Sequence, residues 1–231
     1  MEFIRAAELK KKFSVFGHFY KLKIGQTLFD CRSVLEIAPI GSSVSNISKP
    51  CAVVVMMNPG SSTPVERNYI EDELLPSDIS SSSWDKKLIP ANPDPAQYQI
   101  MRLMLLEGWN HVRILNLSDL RNPASSSFAD DFCRAKNLDA SNPHCMTDPR
   151  RRSELLNYCV DAPFIVAGWG REKVLYESAG NFLNAVGSIS GIDVGYPNYY
   201  YPSPSFQKYK MHWLENIQPT IKPRNITIAC S

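Results

Sequence analysis

The sequence predicts a three-layer α/β/α sandwich with a central, mostly parallel sheet of about four strands. Short apolar runs rich in β-branched residues alternate with longer amphipathic segments, which is the pattern of a parallel sheet covered by helices. The chain has 231 residues, enough to bury one sizeable core. We expect a single domain over 1–231, with residues 1–50 as a lead-in helix and edge strands and 51–215 as the core.

Four apolar runs predict the strands of the sheet. In chain order they are CAVVVMM (51–57), HVRILNL (111–117), PFIVAGWG (163–170) and VGYPNYYY (194–201). The last is the weakest, because Pro197 cannot donate a ladder hydrogen bond. Residues 14–50 are expected to form a hairpin or edge strands, and the sequence assigns them no chemistry.

Helices are predicted between and after these strands. Asp94 followed by Pro95 is a typical helix start, with an N-cap carboxylate and a proline at the first helical position. The predicted helical segments are 94–109, 147–159, 171–187 and 204–217.

Composition excludes several classes of protein. The chain is 44% hydrophobic and 21% charged with a net charge of +2, which is ordinary for a globular protein and too small a basic excess to indicate nucleic-acid binding by itself. No apolar run is long enough to cross a membrane, and the N-terminus does not read as a signal peptide. We therefore expect a cytoplasmic protein, and we expect it to be a monomer.

The six cysteines are scattered without a CxxC pair, so we expect reduced thiols and neither a zinc ribbon nor an iron–sulfur site. His144 and Cys145, with Cys133 nearby, fit no known ligand spacing. We expect no metal and no cofactor.

Polar segments follow the predicted strands. They are MMNPGSS (56–62), ILNLSDLRNPASS (114–126), VAGWG (166–170) and YPSPSF (201–206). The loops 58–94 and 118–147 are too long to be simple connections. Because ligands of open α/β sheets bind outside the carboxyl ends of the strands, these segments are expected to line one site.

The order and spacing of these four segments resemble the uracil-DNA glycosylase superfamily, and MMNPGSS is similar to the Gly-Ile-Asn-Pro-Gly loop of its mismatch-specific branch. The resemblance covers about residues 51–215. It implies a monofunctional DNA glycosylase that flips a pyrimidine out of DNA and hydrolyses its N-glycosidic bond, leaving an abasic site. Such chemistry needs no metal and no lysine Schiff base.

Two residues are the predicted catalytic groups. Asn58 can accept a hydrogen bond from a water through its amide oxygen, but it cannot take a proton. The resemblance implies this water-positioning role, and the alternative is a simple turn former. Tyr201 stands where the family has a histidine, so it can donate one hydrogen bond to the departing base but brings weaker electrostatic help.

The base-binding candidates are Asn116, Gly60, Met57 and Tyr200. Asn116 has a donor and an acceptor on one amide, which suits a pyrimidine's Watson–Crick edge; the alternative is a buried asparagine satisfied by neighbouring backbone. Gly60 stands where uracil-specific members carry a tyrosine that blocks the pyrimidine 5-position. This favours 5-substituted or modified cytosine, such as the glucosylated hydroxymethylcytosine of phage DNA, and a role in antiviral defence. Alternatively, Gly60 only satisfies the turn.

Contacts to DNA are expected from small hydroxyls, from basic side chains and from one exposed aromatic wedge, Phe206 or Tyr209. The remaining candidates are Ser61, Ser62, Ser203, Ser205, Arg121, Arg150, Arg151 and Arg152. Arginine runs are also common on solvated helix faces. Three other functions stay open: a non-catalytic binder of modified or damaged DNA, a uracil or mismatch repair glycosylase, and an enzyme acting on free nucleosides.

Overall fold

One eight-stranded mixed sheet organises the protein in a computed structural model that describes residues 2–42, 44, 49–79 and 86–224. Its strands are β1 (Phe13–Ile24), β2 (Thr27–Pro39), β3 (Ala52–Met56), β4 (Thr63–Pro64), β5 (Asp72–Leu74), β6 (Ile89–Asn92), β7 (Val112–Asn116) and β8 (Phe164–Gly168). The α-helices are α1 (Ala6–Lys10), α2 (Pro76–Ile79), α3 (Pro95–Glu107), α4 (Ser125–Leu138), α5 (Arg152–Cys159), α6 (Tyr176–Val186) and α7 (Gln207–Ile217).

The strand order is β4-β6-β1-β2-β7-β3-β8, with β5 paired to β1. The strands β7, β3 and β8 are parallel neighbours, and β1 pairs with β5 in parallel. The other pairings are antiparallel. The α/β class is thus confirmed, but a mostly parallel sheet of about four strands is not, because the N-terminal hairpin contributes two strands of 12 and 13 residues to the same sheet.

The fourth predicted strand, 194–201, is not a strand. Isolated bridges join Tyr199 to Gly170 and to Asp193, and Ser190 makes a parallel bridge to Val166 of β8. The absent N–H of Pro197 is one physical reason why no ladder forms in this segment. The segment 118–147, expected to be a loop, contains α4.

Helices cover both faces of the sheet. All five residues of β3 are buried, and alternate side chains enter two different apolar clusters. Val53 and Val55 pack with residues of α4, α5 and α6. Val54 and Met56 pack with residues of α1, α3 and α7. We call these the α4–α6 face and the α3–α7 face.

The predicted start of α3 is confirmed. Asp94 is the N-cap residue, its carboxylate accepts from the backbone N–H groups of Ala96 and Gln97, and Pro95 follows it. The Gln97 side chain accepts in turn from the Asp94 N–H at 2.9 Å, which completes a capping box. The first turn of α3 is therefore fixed by side chains as well as by packing.

The five cysteines in the described residues, Cys31, Cys51, Cys133, Cys145 and Cys159, are free, whereas Cys230 lies outside them. Across the same residues, no helix has the length and apolar character needed to cross a membrane.

A buried ion pair connects β2 to β7. Glu36 is fully buried; it accepts from Arg113 Nε at 2.6 Å, and its second oxygen lies 2.8 Å from His111 Nε2. Glu36 and Arg113 are directly opposed in the antiparallel register. The pair thus fixes how the hairpin docks on the parallel strands.

Replacement of this buried carboxylate should be far more costly than replacement of an exposed one. Glu36→Gln removes the negative charge facing the Arg113 guanidinium and is expected to lower the free energy of unfolding by about 3 kcal/mol. The control Glu8→Gln removes the exposed ion pair with Lys11 and should cost less than about 0.5 kcal/mol. Urea unfolding measures both, and equal losses would contradict the role assigned to Glu36.

Candidate active site

The carboxyl ends of β7, β3 and β8 lie side by side. Met56, the last residue of β3, is in register with Asn116 of β7 and with Gly168 of β8. Beyond the strands, the Leu117 N–H donates to the Met56 carbonyl at 2.9 Å and the Ser118 N–H to the Met57 carbonyl at 3.2 Å. The first two polar segments therefore meet at one edge of the sheet.

The segment YPSPSF (201–206) packs on the end of β8. A Cβ built on Gly168 would stand 3.0 Å from Pro202 Cδ, so the glycine permits close contact. The Gly170 N–H donates to the Tyr199 carbonyl at 2.8 Å. The four segments singled out in the sequence thus converge, as expected for loops after parallel strands.

Asn58 is held by its amide nitrogen. Nδ2 donates to the carbonyl oxygens of Leu120 at 3.2 Å and Asn122 at 2.8 Å. Because both partners are acceptors, they also fix which end of the amide is the nitrogen. Oδ1 has no hydrogen bond to any described residue, and the side chain is half-buried. An anchored amide that presents its oxygen is the arrangement that positioning of a water requires.

Asn116 is a fully buried asparagine whose amide nitrogen and oxygen both lack a hydrogen-bond partner in the described structure. The alternative that neighbouring backbone satisfies this amide is therefore wrong. A buried donor or acceptor left unsatisfied costs about 1–3 kcal/mol. No hydrogen bond within the described residues accounts for this amide, whereas a planar ligand with complementary groups would satisfy it.

Gly60 is required by the turn. Its φ is +65°, and a Cβ built on it would stand 2.6 Å from Asp94 Oδ2. The Asp94 carboxylate that caps α3 through Oδ1 therefore stands against the Asn-Pro-Gly-Ser loop at Gly60 with Oδ2. Since the carboxylate occupies the space that a side chain at position 60 would take, the geometry does not support the entry of a bulky pyrimidine substituent there.

Tyr201 lies beside this loop and is 38% exposed. Burial and the neighbouring Asp94 raise the pKa of its phenol, partly offset by Arg32. Tyr201 therefore stays neutral at physiological pH and can donate a hydrogen bond. Tyr200 is also 38% exposed, and its carbonyl accepts from Trp213 Nε1 at 3.2 Å, which ties the segment to α7.

Met57 is not placed beside Asn116. It packs against the cluster on the α4–α6 face, whereas Asn116 shares strand parity with Ile114, which belongs to the α3–α7 face. The Met57 side chain therefore faces the opposite side of the sheet from Asn116, and its contact with a base stays a prediction.

The four predicted serines differ in their exposure. Ser62 is 1% exposed and donates to the Asn92 carbonyl at 2.9 Å, so its hydroxyl is not available to a phosphate and that prediction is wrong. Ser61 and Ser205 are exposed. The Ser203 hydroxyl is buried and has no partner among the described residues.

Arg151 is not a surface residue. It is 1% exposed and forms ion pairs with Asp119 at 2.7 Å and with Glu154 at 2.9 Å. The prediction that it contacts phosphate is wrong, because a guanidinium held by two carboxylates in the interior cannot reach DNA.

The other predicted arginines are mostly paired as well. Arg121 is 12% exposed and forms an ion pair with Glu71 at 2.8 Å, and both carboxylate oxygens of Asp148 accept from Arg150. Arg152 is exposed. The basic run therefore supports the folded structure more than it offers a continuous positive surface.

Phe206 and Tyr209 form an exposed aromatic pair at the start of α7. They are 66% and 44% exposed, with ring centroids 6.1 Å apart in an edge-to-face arrangement. Both rings are accessible to a partner, so both stay candidates for the wedge.

Arg32 was not among the predicted site residues, because it lies in β2, where no chemistry was expected. Its side chain is 1% exposed, and Nε and Nη1 have no hydrogen-bond partner in the described part of the chain. Its backbone N–H donates to the Asp119 carbonyl at 2.9 Å, so β2 runs alongside the segment that follows Asn116. A charged residue within the apolar run CRSVLEIA (31–38) was the available signal.

Comparisons with known proteins identify no relative. No family model, curated protein or solved structure matches this chain. The resemblance to the uracil-DNA glycosylase superfamily therefore stays a prediction, and the function must be argued from the site itself.

Substitution of Gly60 should disturb more than its own backbone. Gly25 has nearly the same φ, +61°, with no atom near a built Cβ, so Gly25→Ala should cost about 1–2 kcal/mol from backbone strain alone. Gly60→Ala also displaces the Asp94 carboxylate from the α3 cap, which adds about 1 kcal/mol. Urea unfolding of the two variants tests this, and equal costs would show that the Asp94 carboxylate does not restrict position 60.

Proposed function

We propose that this protein is a monofunctional DNA glycosylase that takes a pyrimidine nucleotide out of DNA and hydrolyses its N-glycosidic bond, leaving an abasic site. The observation that carries the proposal is the fully buried, unsatisfied amide of Asn116, one strand away from the anchored amide of Asn58. The first amide suits recognition of a base, and the second suits placement of a water.

The Asn116 amide matches the edge of an extruded cytosine. The cytosine amino group donates to Oδ1 while N3 accepts from Nδ2, which satisfies both orphaned groups at once. Burial makes this recognition selective, because a base lacking either group leaves the amide unsatisfied. Only a nucleotide flipped out of the stack can reach such a position.

Asn58 then orients the attacking water. Its Oδ1 accepts a hydrogen bond from the water, while the carbonyls of Leu120 and Asn122 prevent the amide from rotating. The contribution is positional, since an amide takes no proton, and fixed orientation of a reactant lowers a barrier by several kcal/mol. Tyr201, neutral and partly exposed, donates a hydrogen bond to the departing base.

We propose 5-substituted cytosine, including the glucosylated hydroxymethylcytosine of phage DNA, as the substrate, with a role in antiviral defence. This finer proposal rests on the resemblance, which aligns Gly60 with a blocking tyrosine, and not on the space around Gly60. We assign the DNA contacts to the exposed residues Ser61, Ser205 and Arg152. We assign the role of the wedge to Phe206 or Tyr209. We propose that the protein works as a monomer in the cytoplasm.

Loss of the Asn58 amide should slow base release strongly and spare binding. Wild type is incubated with duplex oligonucleotides carrying 5-hydroxymethylcytosine, its glucosylated form, uracil or a T·G mismatch, and released bases are identified by mass spectrometry. Asn58→Ala should slow release by roughly 10²–10³-fold, the usual loss for one polar catalytic group, with DNA affinity within about threefold of wild type.

The control for Asn58 is Asn157→Ala, on the exposed face of α5, which should leave both quantities unchanged. A gel shift without base release from any oligonucleotide would identify a non-catalytic binder, and release from free nucleosides alone would identify a nucleoside enzyme. Either result would overturn the proposal.

The substitution Asn116→Leu should remove activity while it increases stability. Leucine has a similar size and no polar atoms, so it removes two unsatisfied buried groups and is expected to raise the free energy of unfolding by about 1 kcal/mol or more. The same change should eliminate base release. If Asn116→Leu lowers stability, then the amide has a structural partner and its assignment to base recognition is wrong.

A further inference from the structure

The side chains of Arg32 and Asn116 lie on the same face of the sheet. In the register of the hairpin, Arg32 pairs with Phe19, which belongs to the α3–α7 face, and a Cβ built on Gly17 would stand 3.5 Å from Arg32 Cδ. Asn116 is on this face by its alternation with Ile114. Arg32 and Asn116 therefore lie on the neighbouring strands β2 and β7, and their side chains face the same layer of helices.

The charges around Arg32 do not neutralise it by direct contact. Asp94 and Asp119 act on it electrostatically, as does the positive Arg121, and Tyr201 is its fourth electrostatic neighbour. In the described residues, no acidic oxygen lies within 4.0 Å of its guanidinium nitrogens. A buried cation without such contacts is costly, so the fold gains nothing evident from an arginine here.

An oxygen that carries negative charge, or acquires it during a reaction, is the ligand that suits the N–H groups of Nε or Nη1 on a guanidinium. Two sources exist in a DNA complex, the phosphates and the carbonyl oxygen of the base. Arg32 is only 1% exposed, and phosphates stay at the surface of a protein that has flipped a base into its interior. The deep burial of Arg32 therefore favours the base carbonyl oxygen over a phosphate as its ligand.

Resting on the proposed function, we propose that Arg32 is a catalytic residue that binds the O2 oxygen of the extruded pyrimidine and stabilises the negative charge of the departing base. The C1′–N1 bond breaks with both electrons going to N1, and the charge spreads to O2 beside the guanidinium. The water oxygen forms the new bond to C1′. The water gives up one proton to solvent, and the base anion takes up one proton, so that deoxyribose hydroxyl and neutral base result.

This assignment explains how a site with Tyr201 in place of a histidine can still expel a base. Tyr201 donates one hydrogen bond without carrying charge, whereas a guanidinium supplies a full positive charge in a site from which water is excluded. Burial lowers the pKa of Arg32 to about 10, which leaves it protonated at neutral pH. Tyr201 and Arg32 would then act on the leaving group together.

The test compares Arg32→Met and Arg32→Lys with a matched control, Arg102→Met. Arg102 is also buried on the α3–α7 face, but its Nε donates to the Ile4 carbonyl at 2.8 Å and its Nη1 to Gln99 Oε1 at 3.1 Å. It lies eight residues after Asp94, about 12 Å along the helix axis. Single-turnover rates, DNA affinity and Tm are measured for each variant.

Arg32→Met should slow base release by roughly 10²–10³-fold while the affinity for substrate DNA changes less than threefold and Tm stays equal or rises. Arg32→Lys should recover part of the rate, since it restores charge without the fork of donors. Arg102→Met should lower Tm and leave the rate unchanged.

A leaving-group comparison distinguishes chemistry from packing. 5-Formylcytosine leaves more readily than 5-hydroxymethylcytosine, because the formyl group withdraws electrons from the ring. Loss of Arg32 should therefore slow release of 5-hydroxymethylcytosine more than release of 5-formylcytosine. Three results would overturn the role of Arg32 and leave the proposed function standing. They are equal slowing for the two bases, a wild-type rate in Arg32→Met, and a marked fall in the Tm of that variant. Wild-type protein that releases neither base would overturn the proposed function, and this inference with it.

Discussion

The antiparallel pairing of β2 with β7 is the interaction on which the rest of the structure depends. It joins the N-terminal hairpin to the parallel strands, buries the Glu36–Arg113 ion pair between them, and continues past the strand ends as the hydrogen bond from Arg32 to Asp119. Without it, the parallel strands would have an open edge, and the arginine would be far from the amide of Asn116. The site is therefore assembled from both halves of the sheet.

The polar groups at this edge divide into two kinds. Asn58, Asp94 and Arg151 have their hydrogen bonds or ion pairs within the protein, and they give the edge its fixed shape. Asn116 and Arg32 are buried to 0% and 1% exposure but lack such partners in the described residues. Natural proteins leave few buried polar groups unsatisfied, and these two residues are therefore the ones on which the proposed binding of a nucleotide rests.

Some of this arrangement could be predicted from local sequence. MMNPGSS and ILNLSDL (56–62 and 114–120) follow runs too apolar to be anything but buried strands, and parallel order then brings their ends together. The Asp94-Pro95 start of α3 was equally clear. In these cases the residues that determine the structure lie within a few positions of each other.

The errors have a common physical origin in long-range contacts. The hairpin's place in the sheet depends on pairing with β7, almost eighty positions later. No residue close to Arg32 in the sequence indicates that pairing. Arg151 was misassigned because three consecutive arginines look alike by charge. However, Arg151, Leu155 and Tyr158 are spaced by four and three residues and all are buried, so helical periodicity was the signal that identified the inward-facing one.

Asp94 connects the start of α3 with the loop that bears Asn58. One carboxylate oxygen caps the helix, and the other fills the space beside Gly60. Displacement of the first helical turn would therefore also remove the group that stands against that loop. The position of that loop is thus linked to regular secondary structure and not only to contacts within the loop.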